Sequence, residues 1–202
     1  MAFYISPRVF GRLDGYKIFV DAGHGGDNLG TTGYHGIFAP EDNVFEKEIN
    51  IEIAWELYYL LVQAGAIVKM SRSSNDQFVA NVERGLEANR FNADIFVSIH
   101  NNATDEPAVV GTEVLYPPNR AGSERLAIIM SEYLAIKLQT ENRGAKLRDN
   151  LAVLNSTDMV SVLCECNFLT NPRWEEKMMS FNYQKYAAEG IFLAIRRFLR
   201  GG

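Results

Sequence analysis

Two short apolar runs that each end in a histidine constrain this chain more than anything else in it. Lys17 to Val20 is β-branched and aromatic, and it stops abruptly in Asp21-Ala22-Gly23-His24-Gly25-Gly26. Asp94 to Ile99 is equally apolar, closes on His100 and gives way to the polar Asn101-Asn102-Ala103. Buried neighbouring strands of a parallel sheet end on one rim, the edge at which α/β sheets bind ligands. Both imidazoles are therefore expected at that rim. Glycines around His24 permit positive φ and close backbone approach. The turn carries neither G-x-G-x-x-G nor G-x-x-x-x-G-K-[ST], so it is not read as a phosphate cradle.

The chain has only three histidines, His24, His35 and His100. A third ligand at the rim should be a carboxylate at the start of an element. Glu46 fits, because Asn43 to Asn50 is where a loop gives way to a long helical pattern. Two histidines and one glutamate leave a fourth position for water, the open arrangement of catalytic zinc, and water so bound ionises near neutral pH. A hydrolase is expected. His35, in Gly33-Tyr34-His35-Gly36, reads as an exposed loop histidine without a required role; reaching substrate or metal is its alternative.

Along the chain, strands alternate with helices. Ile49 to Ala64 places Ile49, Ile53, Leu57, Leu60 and Leu61 on one helical face, and Gly65 ends it. Strands are expected at 66–70, 94–100, 111–117, 151–154 and 161–168, and helices at 81–92, from Ser123 as N-cap to Leu138, and after Arg173. This predicts an α/β fold, a single three-layer domain with a mainly parallel twisted β-sheet of about six strands and helices on both faces. Residues 1–15, interrupted by Pro7, Gly11 and Gly15, form an N-terminal extension of unassigned role, and 16–202 form the domain. The long loop from Gly25 to Asn43 is expected to line the site.

At 202 residues, 47% hydrophobic and 22% charged, the chain suits one globular domain. A net charge of −5 and a pI near 5.3 speak against nucleic acid or an anionic membrane surface as partner. No apolar run approaches the roughly 20 residues of a membrane span. The first residues lack the charged start and long apolar region of a secretory signal. Cys164 and Cys166, two apart in one strand, share a face and read as small buried hydrophobes.

The ordered segments DAGHGG, EKEINIEIA, SRSSND with ERGLEAN, ADIFVSIHNNA, GTEVLY, RGAKLRDNLAVL and VLCECNFLTNP resemble the motif series of the zinc-dependent N-acetylmuramoyl-L-alanine amidases, a family of bacterial cell-wall amidases, autolysins and phage endolysins. The resemblance runs from about Tyr16 to Phe198. It implies one zinc ion on His24, Glu46 and His100, Glu165 as the catalytic acid-base, and hydrolysis of the amide between N-acetylmuramic acid and L-alanine in peptidoglycan. It also implies that Arg72 and Asp76 order their loop by pairing with Arg84 or Asn89.

The basic stretch Asn142 to Arg148 reads either as a solvated loop or as the wall of a groove for the stem peptide's carboxylates, with Arg143, Lys146 and Asn102 as candidate substrate contacts. Met159-Val160-Ser161 stands where relatives commonly carry a proline. The intervals 102–111 and 119–123 are too short for the inhibitory helix of some relatives, so an open site is expected. The implied partner is peptidoglycan, glycan strand and stem peptide, approached by a monomer with no membrane insertion. The implied place of action is the cell wall or extracellular space, reached by phage delivery, unusual export or as a domain of a longer protein. A zinc peptidase or deacetylase of similar build, and a catalytically silent wall-binding domain, are the alternatives.

Overall fold

A computed structural model describes residues 13–35 and 43–201 of the protein. Among these the elements are β1 (Lys17–Ala22), α1 (Glu46–Gln63), β2 (Ile67–Met70), α2 (Asn81–Phe91), β3 (Ile95–Asn102), β4 (Thr112–Tyr116), α3 (Ser123–Leu138), β5 (Asn142–Leu147), α4 (Ala152–Asn155), β6 (Val160–Phe168), α5 (Pro172–Met178) and α6 (Phe181–Leu199). The strands form one sheet in the order β2-β1-β3-β6-β4-β5. β2, β1, β3 and β6 run parallel, while β4 pairs antiparallel with β6 and carries β5 parallel to itself. The ends of β1, β3 and β6 therefore share a rim with the starts of β4 and β5.

Alternation along the strands separates two cores. Ile18, Val20, Val97, Val114, Val162 and Cys164 face the layer of α1, α3 and α6, where Leu57, Leu134 and Ile191 are fully buried. Phe19, Phe96, Leu115 and Leu163 face a smaller layer under α2 and α4, with the two phenylalanine rings stacked 5.7 Å apart. The expected three-layer α/β domain is present. Both cysteines are free and buried, and Cys164 Sγ lies 3.0 Å from Met130 Sδ.

Three local expectations are corrected. Residues 142–147 are not a solvated loop but the edge strand β5. An edge paired on one side only tolerates charged and polar residues, which is why its sequence looked like a loop. Leu151 to Leu154 is no strand: Asn155 N donates to Leu151 O at 2.9 Å, closing a single turn that lays Val153 and Leu154 on the smaller core. Ser123 is not the N-cap of its helix. Gly122, at φ +92°, takes that position, and the Ser123 hydroxyl accepts from Ser161 N at 3.0 Å.

Leu13 N bonds Ala64 O at 2.7 Å, so the chain joins the fold at the end of α1. Residues 1–12 of the N-terminal extension, and residues 36–42 of the long loop, lie outside the described residues. None of the described helices is long and apolar enough to cross a membrane.

Candidate metal and catalytic site

The site is built on the turn that follows β1. His24 sits at φ +62°, a left-handed conformation that a residue with a Cβ adopts only when held there. Two buried arginines hold it. Arg84 donates from Nη1 to Asp21 Oδ1 (2.8 Å) and Ala22 O (2.7 Å), and from Nη2 to His24 O (2.7 Å). Arg72 donates from Nε to Ala22 O (2.9 Å) and from Nη2 to Gly23 O (3.0 Å) and Lys47 O (2.6 Å). The carbonyls of three successive residues, Ala22 at the end of β1 and Gly23 and His24 after it, are thus fixed by guanidinium groups.

Asp21, fully buried, also accepts from Ser98 Oγ at 2.6 Å. Burial alone would raise its carboxyl, but Arg84 and the hydroxyls of Ser98 and Ser71 overcome that and hold it below the ordinary aspartate value. Arg72 does order its loop, yet through backbone carbonyls and Asn75 Oδ1 rather than through Arg84 or Asn89. Arg84 pairs with Asp21, and Asn89 binds Ser156 O and Asp158 N instead.

At the first residue of α1, Glu46 is 3% exposed and lies between the two histidines. Its Oε2 is 3.0 Å from His24 Nε2, and its Oε1 is 2.9 Å from His100 Nδ1. One ligand atom from each of His24, Glu46 and His100 lies within 4.8 Å of the others, so the three can hold a metal ion. Thr31 N, Asn101 N and Asn50 Nδ2 all donate to the Glu46 carboxylate, at 2.9, 3.1 and 3.1 Å. Burial opposes ionisation of Glu46, but His100 and His24 outweigh it and keep the carboxyl well below the usual range.

His24 Nδ1 donates to Asn28 Oδ1 at 2.8 Å, which leaves Nε2 as the atom facing Glu46. A metal-binding imidazole is commonly oriented in this way through its other nitrogen. Two imidazoles and a carboxylate, with one imidazole already fixed in orientation, fit a zinc ion with an open fourth position.

Beside this cluster, β3 and β6 pair His100 with Glu165, and β6 and β4 pair Glu165 with Glu113. The three side chains form a row on one face of the sheet. Glu165 is on a central strand, not an edge. Its Oε2 is buried and has no hydrogen-bond partner among the described residues. Burial first, then the negative charges of Glu46 and Glu113, raise its carboxyl well above the ordinary glutamate value.

Arg143, Lys146 and Asn102 are brought together, and all three are turned onto Glu113. Glu113 is 5% exposed; its Oε1 accepts from Asn102 Nδ2 (3.1 Å) and its Oε2 from Arg143 Nε (3.2 Å) and Lys146 Nζ. His35 is placed elsewhere, with its backbone N and its Nδ1 on Glu175 Oε2 of α5. It is a loop tether, with its ring half-exposed. The His24 and His100 side chains stay 23% and 17% exposed, and Glu46 is covered by the Gly30-Thr31 backbone rather than by an inserted helix among the described residues.

A family model described as N-acetylmuramoyl-L-alanine amidase matches residues 18–197. The chain belongs to the N-acetylmuramoyl-L-alanine amidase family. Its sequence is 36% identical over 181 residues to the uncharacterized protein YqiI of Bacillus subtilis, covering 89% of this chain and 82% of that one. It is 36% identical over 179 residues to the N-acetylmuramoyl-L-alanine amidase LytC of the same organism, covering 88% of this chain but 34% of LytC, about a third of its length. Among solved structures, an N-acetylmuramoyl-L-alanine amidase from Clostridium difficile 630 superposes with TM-score 0.83 at 33% identity, covering 92% of this chain and 97% of that one. The catalytic domain of CwlV from Bacillus (Paenibacillus) polymyxa var. colistinus does so with TM-score 0.82 at 30% identity, covering 93% and 99%.

Within this amidase-family chain, sequence reasoning missed Asn28 and Glu113. Asn28 had a readable signal, four residues beyond His24 in the same glycine-rich loop. Gly23 shows how tightly the amidase site is packed: a Cβ there would lie 2.3 Å from His100 Cε1 and Nε2. Gly23→Ala should therefore displace the His100 ring and weaken any metal binding at this candidate cluster by roughly 10- to 100-fold, the usual cost of disturbing a ligand's support. Zinc titration of the refolded apoprotein checks this. An unchanged affinity would mean that His100 is not a ligand.

Proposed function

We propose that this chain hydrolyses the amide between the lactyl group of N-acetylmuramic acid and L-alanine in peptidoglycan, with one zinc ion held by His24, Glu46 and His100. The observation that carries this reading is the His24-Glu46-His100 cluster beside a buried glutamate with an unpartnered oxygen. When bound, zinc supplies Lewis acidity toward a carbonyl oxygen and lowers the pKa of water.

The chain's own residues do the rest. Glu46 and the two imidazoles fix the ion, and Asn28 keeps His24 Nε2 free of the proton that its Nδ1 carries. Glu165, whose raised carboxyl binds protons more readily than an exposed glutamate, takes the proton of the attacking water at its carboxylate and returns it to the leaving nitrogen of L-alanine. The bond broken is the amide C–N; the carboxylate stays with the muramic acid and the free amine with the stem peptide. The chain acts as a monomer on the wall outside the cell membrane.

Product identity tests this. Mass spectrometry of material released from purified peptidoglycan should find stem peptides that begin with L-alanine, their release stopping on chelation and resuming with added zinc. Release of single amino acids or of acetate would point instead to a peptidase or deacetylase, and release of nothing to a binding domain.

A further inference from the structure

Arg143 and Lys146 are three residues apart, and in a regular strand side chains at odd spacing point to opposite faces. Here they reach the same carboxylate. Thr112 pairs with Asn142 but Val114 pairs with Ala145, so β5 carries one extra residue against β4. Gly144, at φ +82°, lies within this bulge, its N donating to Asn142 Oδ1 at 2.9 Å. The bulge lets both cations turn toward Glu113.

One buried carboxylate thus faces two cations, and one positive charge is left uncompensated. Arg143 spends only Nε on Glu113; its two outer nitrogens make no hydrogen bond among the described residues, and its side chain is 30% exposed. The guanidinium carbon lies over the Phe168 ring, 5.1 Å from its centroid. Phe168 is itself aimed there by an irregularity in β6, where the pairing shifts from His100–Glu165 to Asn102–Phe168. A planar cation fixed along one edge, backed by an aromatic ring and open along the other edge, matches a carboxylate.

We infer that Arg143 and Lys146, positioned by Glu113, form a subsite for a free carboxylate of the stem peptide. This rests on the amidase reading above and adds to it the direction in which the peptide leaves the scissile bond. Strands stand about 4.8 Å apart, so β5 lies roughly 10 Å from Glu165. An extended peptide covers about 3.4 Å per residue. The carboxylate nearest the cleaved bond, on the residue after L-alanine, comes within reach of Arg143. Glu113 touches no substrate in this scheme and is a positioning residue.

Two muramoyl peptides test the subsite, one with a free α-carboxylate on the second residue and one with a carboxamide there. For each, kcat/KM is measured in the zinc-loaded enzyme, and Kd in a Glu165→Gln background by calorimetry. The carboxylate form should be preferred by about tenfold in both measurements, and both Arg143→Ala and Glu113→Gln should bring the ratio close to one. The ratio is insensitive to any change in Glu165 itself, since both substrates share that group. A preference that survives Arg143→Ala, or a Kd that does not discriminate in the Glu165→Gln background, overturns the subsite. Discriminating Kd values without amide cleavage by the zinc-loaded enzyme would uphold it and sink the amidase reading instead.

Discussion

Glu165→Gln is expected to lower kcat by about 10²- to 10⁴-fold, the range that general acid-base catalysis supplies, while the zinc content of the protein stays the same. The substitution is nearly isosteric and lies on a central strand whose neighbours are unchanged. It removes only the ability to accept and release a proton. Because the Glu165 Oε2 is buried without a partner, no existing hydrogen bond is lost with it. Stability should hold or rise, since a buried carboxyl raised by its surroundings is replaced by a neutral amide. A variant that keeps more than a tenth of the parent kcat would remove Glu165 from the mechanism, and loss of zinc with activity would make it a ligand rather than an acid-base.

The largest stability effect belongs to a residue that never meets substrate. Arg84→Met should cost roughly 3–5 kcal/mol, because it strands the fully buried Asp21 without its ion partner. For a domain of this size that is a fall in Tm on the order of 10 °C. The double variant Arg84→Met with Asp21→Asn should recover more than half of the loss, which a purely steric defect would not allow.

The pH dependence has a definite sign. In the parent, Asp21 is held below its ordinary value near 3.8, so its contribution is present above that pH and fades as pH falls through the folded value. In the variant, burial without Arg84 pushes the Asp21 carboxyl up, so acid relieves the strain. The stability gap between the two proteins should therefore narrow as the solution is acidified, and a constant gap would show that the ion pair is not its source.

The parts of this molecule that can be read from sequence are those that repeat a local pattern. The strand-then-histidine ends of β1 and β3 are contiguous in the chain, and parallel pairing alone brings them to one rim. Glu46 follows because a helix start is visible in its own residues. What escaped reading was set by pairing between distant strands. Glu113 sits in an ordinary apolar-looking strand, and only the antiparallel register against β6 puts it next to Glu165.

The same holds for β5, whose polar edge looked like a loop and whose bulge at Gly144 reverses the expected facing of Arg143. Leu151 to Leu154 failed for a different reason. Four apolar residues suit a strand or a helical turn equally, and Asn155 decides for the turn by bonding back to Asp149 O at 2.7 Å. Arg72 and Arg84 were recognised as structural, but most of their partners are backbone carbonyls, which a sequence does not display, and Asp21, the ion partner of Arg84, lies 63 residues away.

The strand order also divides the labour along the chain. All three candidate metal ligands precede Asn101, whereas Glu165, the proposed proton carrier, and Glu113 with its partners Arg143 and Lys146 all follow Gly111. The two sets touch where β3 pairs with β6, with His100 opposite Glu165. In the proposed mechanism neither half of the polypeptide carries the whole site, so catalysis would require the assembled centre of the sheet.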